Sequence, residues 1–163
     1  MKLEPPLAYL ITIRTYGTWL HGDDRGSDDR DHNDWDAPYL PPDQERRNIA
    51  ASRLKGKPAA LTWGERQVVD AEVRSQCAFR DWRLWALNVR TEHVHVVVSS
   101  AETPERVMNA LKSYATRALR SEGGRPGPVW SRHGSTRYLW KQEDVAAACV
   151  YVIEGQHAQH PDR

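Results

Sequence analysis

Hydrophobic and polar positions divide the chain into short strands and amphipathic helices. Leu7 to Thr15 is rich in β-branched and apolar residues and reads as a strand. Thr62 followed by Glu65 has capping-box spacing and opens a helix. Val68, Val69, Val73, Cys77 and Phe79 supply its apolar stripe up to about Arg80. Residues 84–100 read as two strands around a tight corner at Arg90-Thr91-Glu92. Thr103 and Pro104 have the types expected at the cap and first position of the next helix. Its stripe of Val107, Met108, Leu111, Tyr114, Ala115, Ala118 and Leu119 carries it to about Ser121. Val129–Arg132 and Thr136–Trp140 read as a bent strand, with His133-Gly134-Ser135 between. Gln142–Glu154 is a last helix ending at Gly155. The stretch from about 21 to 60 has no sustained period and reads as a long loop with a short helix near 42–54. The order β-(loop)-α-β-β-α-β-α predicts a ferredoxin-like split βαβ sandwich of the α+β class. It has an antiparallel sheet, helices on one face and an added C-terminal helix. The 163 residues are expected to form a single domain.

The second strand of the pair breaks this pattern in an informative way. Glu92-His-Val-His-Val-Val-Val sets His93 and His95 two residues apart in an otherwise apolar run. Side chains two apart on a strand share a face, roughly 6–7 Å apart at the Cα atoms. Val94, Val96 and Val98 then face the other way and bury. Two imidazoles on one buried face need a reason: one divalent metal would serve both, or one ring is hydrogen-bonded in the core and the other is wet.

Composition changes the picture only locally. The net charge is +1, but Asp residues crowd 23–36 and cations crowd 106–141. That second stretch holds Arg106, Lys112, Arg117, Arg120, Arg125, Arg132, Arg137 and Lys141 against Glu122 alone. Interleaved with aromatics, such a run suits a nucleic-acid backbone. Seven tryptophans against one phenylalanine supply flat faces for packing or for stacking on bases. Cys77 and Cys149 have no metal spacing and form no disulfide framework. No apolar run is long enough for a membrane span, and Met-Lys-Leu-Glu-Pro-Pro is no signal peptide, so the cytoplasm is expected.

A metal on the histidine pair would need a nucleophile beside it. The chain offers no defensible Ser-His-Asp set and no phosphate-cradling glycine loop. Tyrosines on the helices after the pair, Tyr114 and Tyr151, become the candidates, and spacing alone does not choose between them.

Three segments together resemble the single-tyrosine HUH transposases, bacterial enzymes that cut and rejoin single-stranded DNA. They are Glu92-His-Val-His-Val-Val-Val, the Lys112-Ser-Tyr-x-x-Arg-Ala-Leu helix, and the final Tyr-Val-Ile-Glu-Gly-Gln. The opening Thr15-Tyr-Gly-Thr-Trp-Leu-His-Gly-Asp-Asp-Arg-Gly-Ser is similar to one subgroup of insertion-sequence and REP-associated members. The resemblance implies that Tyr151 is the nucleophile of a 5′-phosphotyrosine intermediate. It implies that His93 and His95 hold Mg²⁺ or Mn²⁺, with Gln156 completing the site from the tyrosine helix. Gln156 stands five residues after Tyr151, where the family places its Gln or Asn four on. Either a one-residue bulge restores the facing geometry or Glu154 is the ligand. Thr91-Glu92 stands where the family carries Pro-Asn. Arg14, Lys112, Arg117, Arg132, Arg137 and Trp130 are the expected contacts to single-stranded or hairpin DNA. The family further implies a homodimer. Two other classes fit the same residues: a domesticated hairpin-binding module that does not cut, and a metal-dependent phosphoesterase whose nucleophile is water.

Overall fold

In the computed structural model the described residues are 4–18, 43–54 and 57–155. Gln156 and the acidic stretch at 23–36 lie outside them. The strands are β1 (Ala8–Thr15), β2 (Arg83–Val89), β3 (His93–Ser99) and β4 (Trp130–Leu139). The helices are α1 (Gln44–Ser52), α2 (Trp63–Phe79), α3 (Pro104–Gly123) and α4 (Gln142–Val150). A π-helical turn, Tyr151–Gly155, continues from α4. The sheet order is β2-β3-β1-β4, antiparallel throughout, as the split βαβ arrangement requires.

Local chemistry sets the helix ends. Thr62 accepts from the Glu65 amide while Glu65 reaches back to the Thr62 amide, a complete capping box. Thr103 caps α3 with Pro104 behind it, and Gly124 ends it in the left-handed conformation (φ 62°). An ion pair from Arg125 to Glu65, and a bond from Arg125 to the Ala60 carbonyl (3.1 Å), tie the end of α3 to the start of α2.

The alternation of β3 divides the core in two. Val94, Val96 and Val98 are fully buried with Ile11, Ile13, Val69, Val73, Leu111 and Leu119, beneath α2 and α3. Val97 faces the other way, with Ala8, Leu10, Ala86, Leu139, Val145, Ala148 and Val152. The added C-terminal helix therefore covers the face that α2 and α3 leave open. Phe79, read from the sequence as part of the α2 stripe, is 82% exposed. It is the last residue of α2, where the chain is already turning away to reach Trp82 and β2.

One irregularity bends β4. Between the pairs Ile13–Gly134 and Thr15–Trp130, β1 uses one residue, Arg14, while β4 uses Ser131, Arg132 and His133. This bulge replaces the bend expected at 133–135. It turns strand carbonyls away from their ladder partners. Lys112 answers two of them: its Nζ donates to Ser131 O (2.9 Å) and Arg132 O (3.4 Å). The Ser131 hydroxyl in turn donates to Arg14 O (3.0 Å).

Candidate active site

The α4 face of the sheet is apolar at one end and polar at the other. The strand registers set Asn88 beside His95, His95 beside Thr12, and Thr12 beside Ser135. One polar row thus crosses all four strands. His93 lies one step further along, opposite Arg14. Thr12, His93, His95 and Ser135 are buried.

Within this row the two histidines meet edge to face, with ring centroids 4.6 Å apart at 69°. The shared face expected from their spacing is present. His95 Nδ1 lies 2.9 Å from the Thr12 hydroxyl in a buried hydrogen bond. That bond fixes the ring plane and makes Nε2 the nitrogen suited to ligation. A metal-binding histidine is generally oriented in this manner through its other nitrogen.

The helix across this face brings the phenol. Val145, Ala148 and Val152 recur at helical spacing and pack on the apolar half of the sheet. Tyr151, next to Val152, then falls over the polar row. Its ring stands 5.5 Å from that of His95, at 73°. The sequence left Tyr114 and Tyr151 as alternatives, and only Tyr151 meets the pair. Tyr114 sits on α3, behind the sheet, between the guanidinium groups of Arg80 (5.4 Å) and Arg117 (4.9 Å).

From Tyr151 onward the winding loosens from i→i+4 to i→i+5 bonding, as a π turn does. Asn88 meets this turn: its Nδ2 donates to Val152 O at 2.9 Å. Glu154 is exposed on the same turn. Among the described residues, no group of three His, Cys, Asp or Glu side chains is placed to hold a metal. A metal on this row would thus have His93 and His95 as nitrogen donors and take further ligands from oxygen groups. The paired rings and the Thr12 bond fit such an ion.

The expected DNA contacts divide by position. Arg14 is half-buried beside His93, and Arg132 is exposed on the β4 bulge facing it. Arg137 shares the α4 face, opposite Leu10, but is buried. Lys112 is buried too, engaged with the bulge carbonyls, and burial pushes its ammonium down to about 8. The Trp130 indole donates to Lys112 O (3.2 Å) and Thr116 Oγ1 (3.1 Å), so its ring is anchored on α3. Arg117 is exposed and lines an open groove of about 460 Å³ with Lys112, Ser113, Thr116 and Arg120. This basic groove lies on α3, on the far side of the sheet from the histidines.

Thr12, Asn88 and Ser135 were not singled out from the sequence. Their signal was present: Thr12 and Asn88 each interrupt an otherwise apolar strand, as the histidines do.

No family model and no curated protein matches the chain. Among solved structures it is similar to a REP-associated tyrosine transposase bound to a REP hairpin. That match has a TM-score of 0.58 and 9% identity, covering 99% of this chain and 73% of the other. A candidate transposase from Deinococcus radiodurans aligns at TM-score 0.48 and 17% identity, over 96% of this chain and 95% of the other. The first likeness establishes the shared α+β fold.

Proposed function

We propose that the chain is a single-tyrosine transposase-like enzyme that cleaves and rejoins single-stranded DNA, with hairpin DNA as its partner. The observation that carries this is the Tyr151 ring against His95, on the face where His93 and His95 meet. A phenol beside a histidine pair that can hold a metal suits covalent attack on a phosphodiester. The shared fold with a tyrosine transposase bound to a REP hairpin supports the choice of reaction and of partner.

In this reading the Tyr151 Oη gives up its proton to water and bonds to phosphorus as the P–O3′ bond breaks. The 3′-oxygen leaves and is protonated to a hydroxyl, and the phosphate stays linked to Tyr151 at its 5′ side. Attack by a 3′-hydroxyl reverses these steps and frees the phenol. His93 and His95 would hold Mn²⁺ or Mg²⁺, which supplies Lewis-acid stabilisation of charge on the phosphoryl oxygens. The imidazole pair favours Mn²⁺, since Mg²⁺ prefers oxygen ligands alone. Gln156 is the proposed third ligand. The π turn supports it, because i→i+5 winding suits a five-residue interval from Tyr151. Glu154 is the alternative donor. Arg14 and Arg132 are proposed to contact phosphates beside the site, and Arg117 on the far face. A homodimer belongs to the same reading.

End-labelled hairpin oligonucleotides with Mn²⁺, run on a denaturing gel, test it. The expected result is a covalent protein–DNA adduct that is absent in Tyr151→Phe. Cleavage without an adduct would point to a water nucleophile. A gel shift without cleavage would point to a non-cutting hairpin binder. That second reading draws on one observation: Gln156 stands five residues after Tyr151, where the family places its Gln or Asn four on.

A further inference from the structure

We infer that Asn88 is a positioning residue: its side-chain amide holds the π turn at Val152, and so sets the Tyr151 phenol against His95. The inference takes the reaction from the reading above, but its geometry stands apart from it.

Asn88 lies directly across from His95 in the β2–β3 register. From there its Nδ2 reaches the Val152 carbonyl at 2.9 Å. One side chain therefore links the strand next to the histidine with the residue next to the tyrosine. Asparagine is a poor strand former, and here it interrupts Leu84-Trp-Ala-Leu-x-Val89 on a half-buried face. Packing gives no reason for it, whereas a donor aimed at the turn does.

The turn has a use for that donor. A π turn is rare and replaces i→i+4 bonds with i→i+5 ones, so a hydrogen bond from outside its own backbone helps to hold it. A regular α-helix from Val150 onward would rotate the residues that follow relative to the row. Asn88 stabilises the loosened form instead. The fully buried Val152 side chain pins the turn to the apolar half of the sheet, and the Asn88 bond pins the backbone of the same residue. Tyr151 precedes this doubly held residue, so its ring has little freedom to swing from His95.

The test uses the full chain with 3-fluorotyrosine placed at position 151 and ¹⁹F NMR as readout. In the wild type the resonance is expected to move on folding, away from its position in the urea-unfolded chain, because the His95 ring stands against it. In Asn88→Leu, which keeps the branching at Cγ and removes the donor, that movement is expected to fall by at least half. Asn88→Ala serves in its place if the leucine variant fails to fold. In parallel, the rate of adduct formation on a hairpin oligonucleotide is expected to fall about 10- to 100-fold, with hairpin affinity unchanged. A merely structural role would lower the melting temperature and leave the ¹⁹F movement intact. An unchanged ¹⁹F response in a folded variant overturns the inference, whatever happens to the rate. If the ¹⁹F response is lost but the wild type forms no adduct, positioning by Asn88 stands and the proposed reaction falls.

Discussion

At the residue scale, two side chains have roles set by what they touch rather than by their type. Thr12 Oγ1 bonds His95 Nδ1 within the buried row. Thr12→Val keeps the shape and removes the oxygen, leaving the ring without that orienting bond. Losing such an outer-shell partner typically costs 10- to 100-fold in metal affinity. Mn²⁺ titration followed by electron paramagnetic resonance should show a loss of about that size in Thr12→Val, while the melting temperature changes little. Equal affinities would remove Thr12 from the site. Lys112 presents a different case. A lysine in a cation-rich stretch reads as a phosphate contact, yet here its ammonium is buried on two bulge carbonyls. Burial lowers its pKa from 10.5 to about 8. Between those two values the unfolded chain binds more protons than the native one, so this lysine makes native stability rise with pH. Below about 8 both states are charged and the contribution is flat. Urea unfolding of wild type and Lys112→Met from pH 7 to 10 should show the difference shifting toward the wild type above pH 8. A difference constant with pH would mean that the amine is not desolvated.

At the element scale, β4 shows how little room the bulge leaves. A Cβ added at Gly134 would come within 2.4 Å of Thr12 O and 2.5 Å of Met108 Sδ. The methionine can move, but the β1 backbone cannot without disturbing the row that holds Thr12 and His95. Gly134→Ala should therefore destabilise by about 1–3 kcal/mol, the range for overpacking, measured by urea unfolding. A change under about 0.5 kcal/mol, the size usual for harmless surface substitutions, would mean that the strand shifts freely. The same strand marks where the sequence stops being legible. The capped starts of α2 and α3, the β2–β3 pair and its two-faced valine run could be read because their causes lie within a few residues. The bulge could not, because the group that satisfies it, Lys112, comes from α3. The early end of α4 at Val150 could not either, because the π turn is met by Asn88 from β2. Phe79 misled because helical spacing cannot tell where a helix end leaves the core. For the site, His93, His95 and Tyr151 were legible as chemical types. Their meeting, and the Thr12 and Asn88 bonds that hold it, depends on strand register.

At the scale of the whole molecule, the sheet separates two regions that the proposed DNA ligand would meet. The histidine–tyrosine row lies on the α4 face, flanked by Arg14 and by Arg132 on the bulge. The groove with Arg117 and Arg120 lies on α3, across the sheet. Among the described residues no helix is long and apolar enough to cross a membrane. A strand whose scissile phosphate sits at Tyr151 must run along the α4 face. It can reach Arg117 only by passing round an edge of the sheet. DNA length should therefore decide which cations matter. A single strand of about six nucleotides, near the low end of common site sizes, should occupy the row alone. Its affinity should be insensitive to Arg117→Ala and weakened by Arg132→Ala. A hairpin with a long flanking strand should engage both faces. For that ligand Arg117→Ala should lower the slope of log affinity against log salt by about 1, the signature of one lost phosphate contact. Fluorescence anisotropy across a salt series measures both slopes. An equal loss for the short strand would mean that DNA enters over α3 first, and would move the binding path away from the face that holds the tyrosine.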